Sequence, residues 1–97
     1  MHVEFIPPSE EEFYDAYYYY SLQLEGLEDQ FLQEFEKTIE LIKKYPEAWR
    51  KMGLHTRRGL LKRFPYFILY VIENDKILIT CIAHQHRDPE YYIDRIL

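Results

Sequence analysis

The stretch FILYVIENDKILITCIAH, residues 67–84, constrains the fold more than any other part of the chain. Two apolar runs flank ENDK (73–76), which reads as a tight hairpin turn with Asn74 and Asp75 able to take positive φ. A strand with one wet face alternates apolar with polar residues. Here both alternating sets are apolar, which predicts central strands covered on both sides. The sequence leaves open which set meets which cover.

The remaining segments suggest what one cover is. HVEFI (2–6) is a short strand candidate, stopped by Pro7 and Pro8. Ser9 and Glu12 then have the spacing of a capping box, and the acidic first turn suits the dipole of a helix over 10–25. Phe13, Ala16, Tyr17, Tyr20 and Leu24 mark the buried face of that helix, with Tyr18 and Tyr19 flanking it, hydroxyls in water. Gly26 breaks the chain before a second helix over 27–44, with a stripe of Leu27, Phe31, Phe35, Thr38, Ile39, Ile42 and Tyr45, ended by Pro46. So short a joint makes an antiparallel helical hairpin. LHTRRGLLKRF (54–64) reads as a strand with Gly59 as a bulge, and Pro65 sits at a turn. The order is β-α-α-β-β-β. An N-terminal helical hairpin packs on a mainly antiparallel sheet, an α+β two-layer fold, and a partner is the candidate for the sheet's second cover.

Length and charge narrow the rest. Ninety-seven residues, 47% hydrophobic and 18% aromatic, predict one packed domain over 1–97. Cys81 is the only cysteine, so no internal disulfide forms and a reducing cytoplasm is the expected setting. The N-terminus lacks the basic and long apolar regions of a signal peptide, and no apolar run reaches the ~18 residues of a membrane span. The net charge of −5 divides into −9 over residues 1–49 and +4 over residues 50–97. An acidic whole argues against general nucleic-acid binding, while the basic second half keeps a local anionic contact open.

HQHRDPEYY (84–92) gathers the candidate chemistry. His84 and His86 fall on one side of a continuing strand, as a metal pair requires. No further Cys or His pattern supplies the remaining ligands, so neither metal nor cofactor is expected. Three stretches in order, YYYY…GL…F…F…I..I..YP (17–46), RRGLLKRFPYFILYVIENDKILI (57–79) and HQHRDPEYYIDR (84–95), resemble the RelE/ParE family of bacterial type II toxin–antitoxin toxins, also known as plasmid stabilization proteins. The family positions matched are Phe64, Pro65 and Tyr66, then His84, Arg87, Asp88, Pro89, Tyr92 and Arg95. Tyr92 stands where the family often has tryptophan, and Asp88 belongs to its structural Arg-Asp-Pro turn.

The resemblance implies a cognate antitoxin and one of two targets. RelE-like members cut mRNA on the ribosome; ParE-like members inhibit DNA gyrase. RNA cleavage by 2′-OH attack needs a base, an acid and cations at the phosphate. His84 or Tyr91 would move protons, and Arg58, Arg63 and Arg87 would hold the phosphate. Each also has a structural reading. Arg57 and Arg58 face opposite ways in a regular strand, Arg87 and Asp88 suit a turn, Arg95 suits pairing with the acidic helices, and His84 suits a hydrogen-bonded strand end. The missing lysine pair between Leu54 and Leu61, the acidic charge, and HQHRDPEYYIDR with FPYFILY turn the reading towards the ParE branch, without direct sequence-specific DNA binding by the toxin alone. A relative that only binds its antitoxin is the third reading. The antitoxin's tail is expected in an apolar groove across the sheet, beside Arg58, Arg63 and Arg87.

Overall fold

In a computed structural model describing residues 1–97, the chain passes through β1 (His2–Phe5), α1 (Ser9–Ser21), α2 (Leu27–Lys44), β2 (Arg50–Lys51), β3 (Thr56–Leu60), β4 (Tyr66–Glu73) and β5 (Lys76–His84). Two single-turn 3-10 helices, Pro89–Tyr91 and Ile93–Arg95, follow. The sheet order is β1-β5-β4-β3-β2; β1 runs parallel to β5 and every other pair is antiparallel. The α+β fold with its helical hairpin is as expected. The two-residue edge strand β2 was not: Arg50 and Lys51 pair with Arg58 and Arg57, and two polar residues carry no periodic signal.

The β4–β5 hairpin turns on Asn74 and Asp75 at φ 49° and 63°, the left-handed geometry that matches strand twist. Its register shifts once. Leu69 pairs with Cys81 and Tyr70 with Ile79, which leaves Thr80 as the extra residue. The bulge reverses the alternation of β5. Ile77 and Ile79 before it, and Ile82 after it, all join the helix-side core with Ile68 and Tyr70. Cys81 and Ala83 fall on the opposite face with Phe67 and Leu69. Gly59 is not the bulge. It pairs regularly with Ile68 and faces α2, where a Cβ would lie 2.9 Å from Ile42 Cδ1. The glycine lets the helix approach the strand. β3 is also shorter than the expected 54–64, since Leu54 lies in the turn after β2 and Leu61–Pro65 form a loop.

On the helix side an aromatic cluster fills the core: Phe13 against Phe35 at 4.6 Å between ring centroids, Tyr20 against Phe31 at 5.1 Å, Phe31 against Phe64 at 5.3 Å. α1 ends at Ser21, not near residue 25, because the last turn tightens. Leu22 N–H is shared between the Tyr18 and Tyr19 carbonyls, and Ser21 Oγ donates to Tyr18 O at 2.6 Å. The chain then has room to reverse through Gly26, at φ 83°, into α2. Leu24 is consequently exposed and Tyr17 only half-buried, while Tyr18 and Tyr19 face solvent as expected. α2 keeps its predicted bounds; Tyr45, one residue past its end, is exposed.

The second face of the sheet has a cover of its own. Phe67, Leu69, Cys81 and Ala83 are buried with Tyr92 from the closing segment, and Met52 and Ile96 pack against them. The expected open groove across these strands is therefore filled by the chain itself. Leu97 completes the seam: its N–H donates to Thr56 Oγ1 at 2.7 Å and its carbonyl accepts from Thr56 N–H at 2.9 Å.

Burial on both sides of the sheet makes the fold sensitive to alkali. It raises the Cys81 thiol to about 12, and the Tyr20 and Tyr70 phenols to about 12. A raised pKa means the folded state holds its proton where the unfolded chain has lost it. The stability linked to these groups is complete below about 9 and falls as pH rises towards 12. Urea midpoints measured from pH 7 to 11 should be flat to about 9 and then decline; a midpoint unchanged at pH 11 would contradict this.

Candidate functional site

β1 accompanies β5 only part of the way. Ile6 N–H donates to Ile79 O at 2.8 Å, and Pro7 and Pro8 then end the ladder. Beyond that point β5 presents a free edge, which side chains occupy in place of a strand. Ser9 Oγ donates to Ile79 O at 2.9 Å, Arg95 Nη1 donates to Thr80 O at 3.0 Å, and Glu12 Oε1 accepts from Ile82 N–H at 3.0 Å. The expected capping box is thus absent: Pro8 takes the N-cap position without a side-chain hydrogen bond, and Ser9 and Glu12 turn inward to the sheet.

Glu12 is the hub. Its carboxylate, buried, receives a two-pronged ion pair from Arg95, Nη1 to Oε1 at 3.0 Å and Nη2 to Oε2 at 2.9 Å, and accepts the Tyr91 hydroxyl on Oε2. Burial alone would lower the Arg95 pKa, but the hydrogen-bonded Glu12 carboxylate and the neighbouring Tyr91 outweigh it and the guanidinium is held protonated. The hydrogen bond to Glu12, followed by burial, raises the Tyr91 phenol. The expectation that Arg95 pairs with an acidic helix holds. In the sequence Glu12 looks like a helix-capping residue, because Ser9-x-x-Glu12 satisfies that local pattern. Its helical phase was the available signal, since Glu12, Ala16 and Tyr20 recur four residues apart on the buried face.

Beside this hub a cavity of about 220 Å³ opens between α1 and the end of β5, lined by residues including Asp15, Tyr19, Tyr66, His84, Arg87 and Tyr91. The Arg87 guanidinium lies 3.7 Å from the centre of the Tyr91 ring, and that of Arg95 4.9 Å. His84 pairs with Tyr66 across the strands, ring centroids 5.3 Å apart, and its Nδ1 accepts the His86 N–H at 3.0 Å. That bond makes Nε2 the proton-bearing nitrogen of the neutral ring. Asp88 accepts from Glu90 N–H at 3.0 Å, and Pro89 opens the 3-10 turn. The turn sends Tyr91 to Glu12 and Tyr92 onto Phe67, 5.3 Å between centroids. Phe64 is core, and the Pro65 carbonyl accepts from Gln85 N–H at 2.7 Å.

Of the residues singled out for phosphate and proton chemistry, His84, Arg87 and Tyr91 meet around this cavity. Arg58 and Arg63 do not join them. Arg58 pairs in register with Leu69, which places it on the second face of the sheet, partly buried. Arg63 lines a different depression with Glu34, Thr38 and Trp49. The His84 and His86 rings are 5.5 Å apart, and no group of three or more His, Cys, Asp or Glu is placed to hold a metal ion. No helix is long and apolar enough to cross a membrane.

Comparisons with known proteins agree with this architecture. The family described as the ParE toxin of the type II toxin–antitoxin system parDE matches residues 3–89. A chain from the chromosomal ParDE system of P. aeruginosa superimposes with a TM-score of 0.70 at 16% identity, over 87% of this chain and 95% of that one. The isolated E. coli RelE toxin gives 0.60 at 16% identity, over 99% and 98%. At such identity the likeness is one of fold. No curated protein sequence matches.

Proposed function

Because the chain belongs to the ParE toxin family of type II toxin–antitoxin systems, we propose that it is a cytoplasmic toxin that inhibits DNA gyrase by binding it and is neutralised by a cognate antitoxin. One observation carries the choice of binding over hydrolysis. The five candidates for RNA cleavage are split among three places, and the Tyr91 hydroxyl is engaged by Glu12. Phosphate clamps and proton carriers must converge within hydrogen-bond reach of one reacting centre. The antitoxin contact is drawn from charge: Arg50 and Lys51 pair with Arg58 and Arg57 in one hairpin, a basic edge suited to an acidic segment.

A RelE-like, ribosome-dependent endoribonuclease is the second reading, favoured by His84, Arg87 and Tyr91 sharing one cavity. Two assays separate the readings. Purified toxin added to a ribosome-containing cell-free translation reaction is expected to leave mRNA intact, and gyrase supercoiling is expected to be inhibited. Codon-phased cuts with supercoiling unimpaired would select the nuclease. His84→Gln should keep growth inhibition within about twofold of wild type, because its partners are structural; a nuclease using His84 as acid or base would lose about 10²–10⁴-fold.

A further inference from the structure

We infer that the outward face of α1 is a docking surface for a basic, arginine- or lysine-bearing segment of a protein partner. This deepens the proposed function and rests on the reading that the protein acts by binding a target. The face is unusual in composition. Tyr14, Tyr18 and Leu22 recur four residues apart along one line and are 59%, 65% and 66% exposed. None of them is needed by the core, which α1 meets through Phe13, Ala16 and Tyr20. Tyrosine dominates binding surfaces because it presents a large, rigid, amphipathic area at low entropic cost. Tyr14 is already ordered edge-on against Phe13, at 5.4 Å between centroids.

The charges decide the occupant. Glu11 and Asp15 flank the tyrosine line, both exposed, and α1 carries no basic residue, so its carboxyl end has no cation to offset the helix dipole. An acidic, aromatic face repels nucleic acid and anionic lipid and attracts cations, which tyrosine rings also bind. A second copy would bring acid against acid. The face also continues into the site: Asp15, and Tyr19 at the next position around the helix from Tyr18, line the cavity beside Arg87. The basic β2–β3 hairpin belongs to the opposite half of the charge distribution, so an acidic antitoxin segment and a basic target segment would engage different surfaces.

The test uses the full chain and two double variants, Tyr14→Ser/Tyr18→Ser and Glu11→Lys/Asp15→Lys, checked for an unchanged unfolding midpoint. The probe is a fluorescein-labelled amphipathic helical peptide of arginine and leucine, with a glutamate–leucine peptide as control. Wild type should bind the arginine peptide saturably and shift the amide resonances of Tyr14, Tyr18 and Leu22; each double variant should weaken binding at least about tenfold. Induced expression of either variant should lose growth inhibition by a similar factor. Wild-type toxicity retained by both variants would overturn the inference and leave the toxin reading standing. A wild type that does not inhibit growth would count against the toxin reading, and the peptide measurement would still decide the surface. Shifts confined to other elements, equal binding of the glutamate peptide, or a dimer that both variants abolish would also overturn it.

Discussion

Glu12→Ala is expected to cost about 3 kcal/mol of folding stability, lowering the midpoint of thermal unfolding by roughly 12–24 °C. The magnitude follows from what the carboxylate holds. Glu12 is 7% and Arg95 21% exposed at the side chain, so solvent screens their pairing little. Removing the carboxylate strands the Arg95 guanidinium in a partly buried site. It also leaves the Ile82 N–H without an acceptor and frees the Tyr91 hydroxyl. Glu12→Gln keeps an acceptor for Ile82 and should lose about half as much. Urea denaturation of Glu12→Ala, Arg95→Ala and the double variant would isolate the pair's coupling. A loss below about 1 kcal/mol in Glu12→Ala would mean that water replaces these contacts and that the closing segment is held by its apolar side alone.

Tyr92→Ala should cost about 3 kcal/mol and uncover the second face of the sheet. Tyr92 is 8% exposed and lies against Phe67, above the layer that includes Leu69, Cys81 and Ala83. The thiol provides the readout. Cys81 is fully buried, and burial holds its pKa near 12, so the native protein should react very slowly with a thiol reagent at pH 8. A loss of about 3 kcal/mol raises the open fraction about 100-fold, and labelling should accelerate accordingly. Ile93→Ala, in the same segment but 57% exposed, should label like wild type. Equal labelling of Tyr92→Ala and wild type would show that another element protects Cys81. These two substitutions release the closing segment from its two anchorages, Glu12 of α1 at the free edge of β5 and the second face of the sheet under Tyr92, and both stability losses should exceed any at the exposed α1 tyrosines.

The sequence determined what local physics encodes. ENDK between two apolar runs can be little else than a hairpin, because Asn74 and Asp75 accept the left-handed backbone that the twist of the strands demands. The heptad-like recurrence of Phe31, Phe35, Thr38 and Ile42 specifies α2 to its ends, and apolar residues in both phases of β4 and β5 require two covers. The order of motifs along the chain was enough to suggest the family. Tertiary structure decided what depends on where one element stops beside another. Thr80 becomes a bulge only where β4 and β5 must keep both faces packed, and no residue type in KILITCIAH announces it. Ser9 and Glu12 satisfy a helix cap in the sequence. They serve the sheet instead because β1 departs at Pro7 and leaves the Ile82 N–H facing α1 without a strand partner, where an unpaired backbone group costs more than an uncapped helix end in reach of water; Ser9 adds a second hydrogen bond to the Ile79 carbonyl that Ile6 already reaches. The same departure lets Arg95 reach Glu12. The closing segment then lies across the face that the sequence assigned to a partner, and Arg58 and Arg63 are separated from the cavity that His84, Arg87 and Tyr91 share.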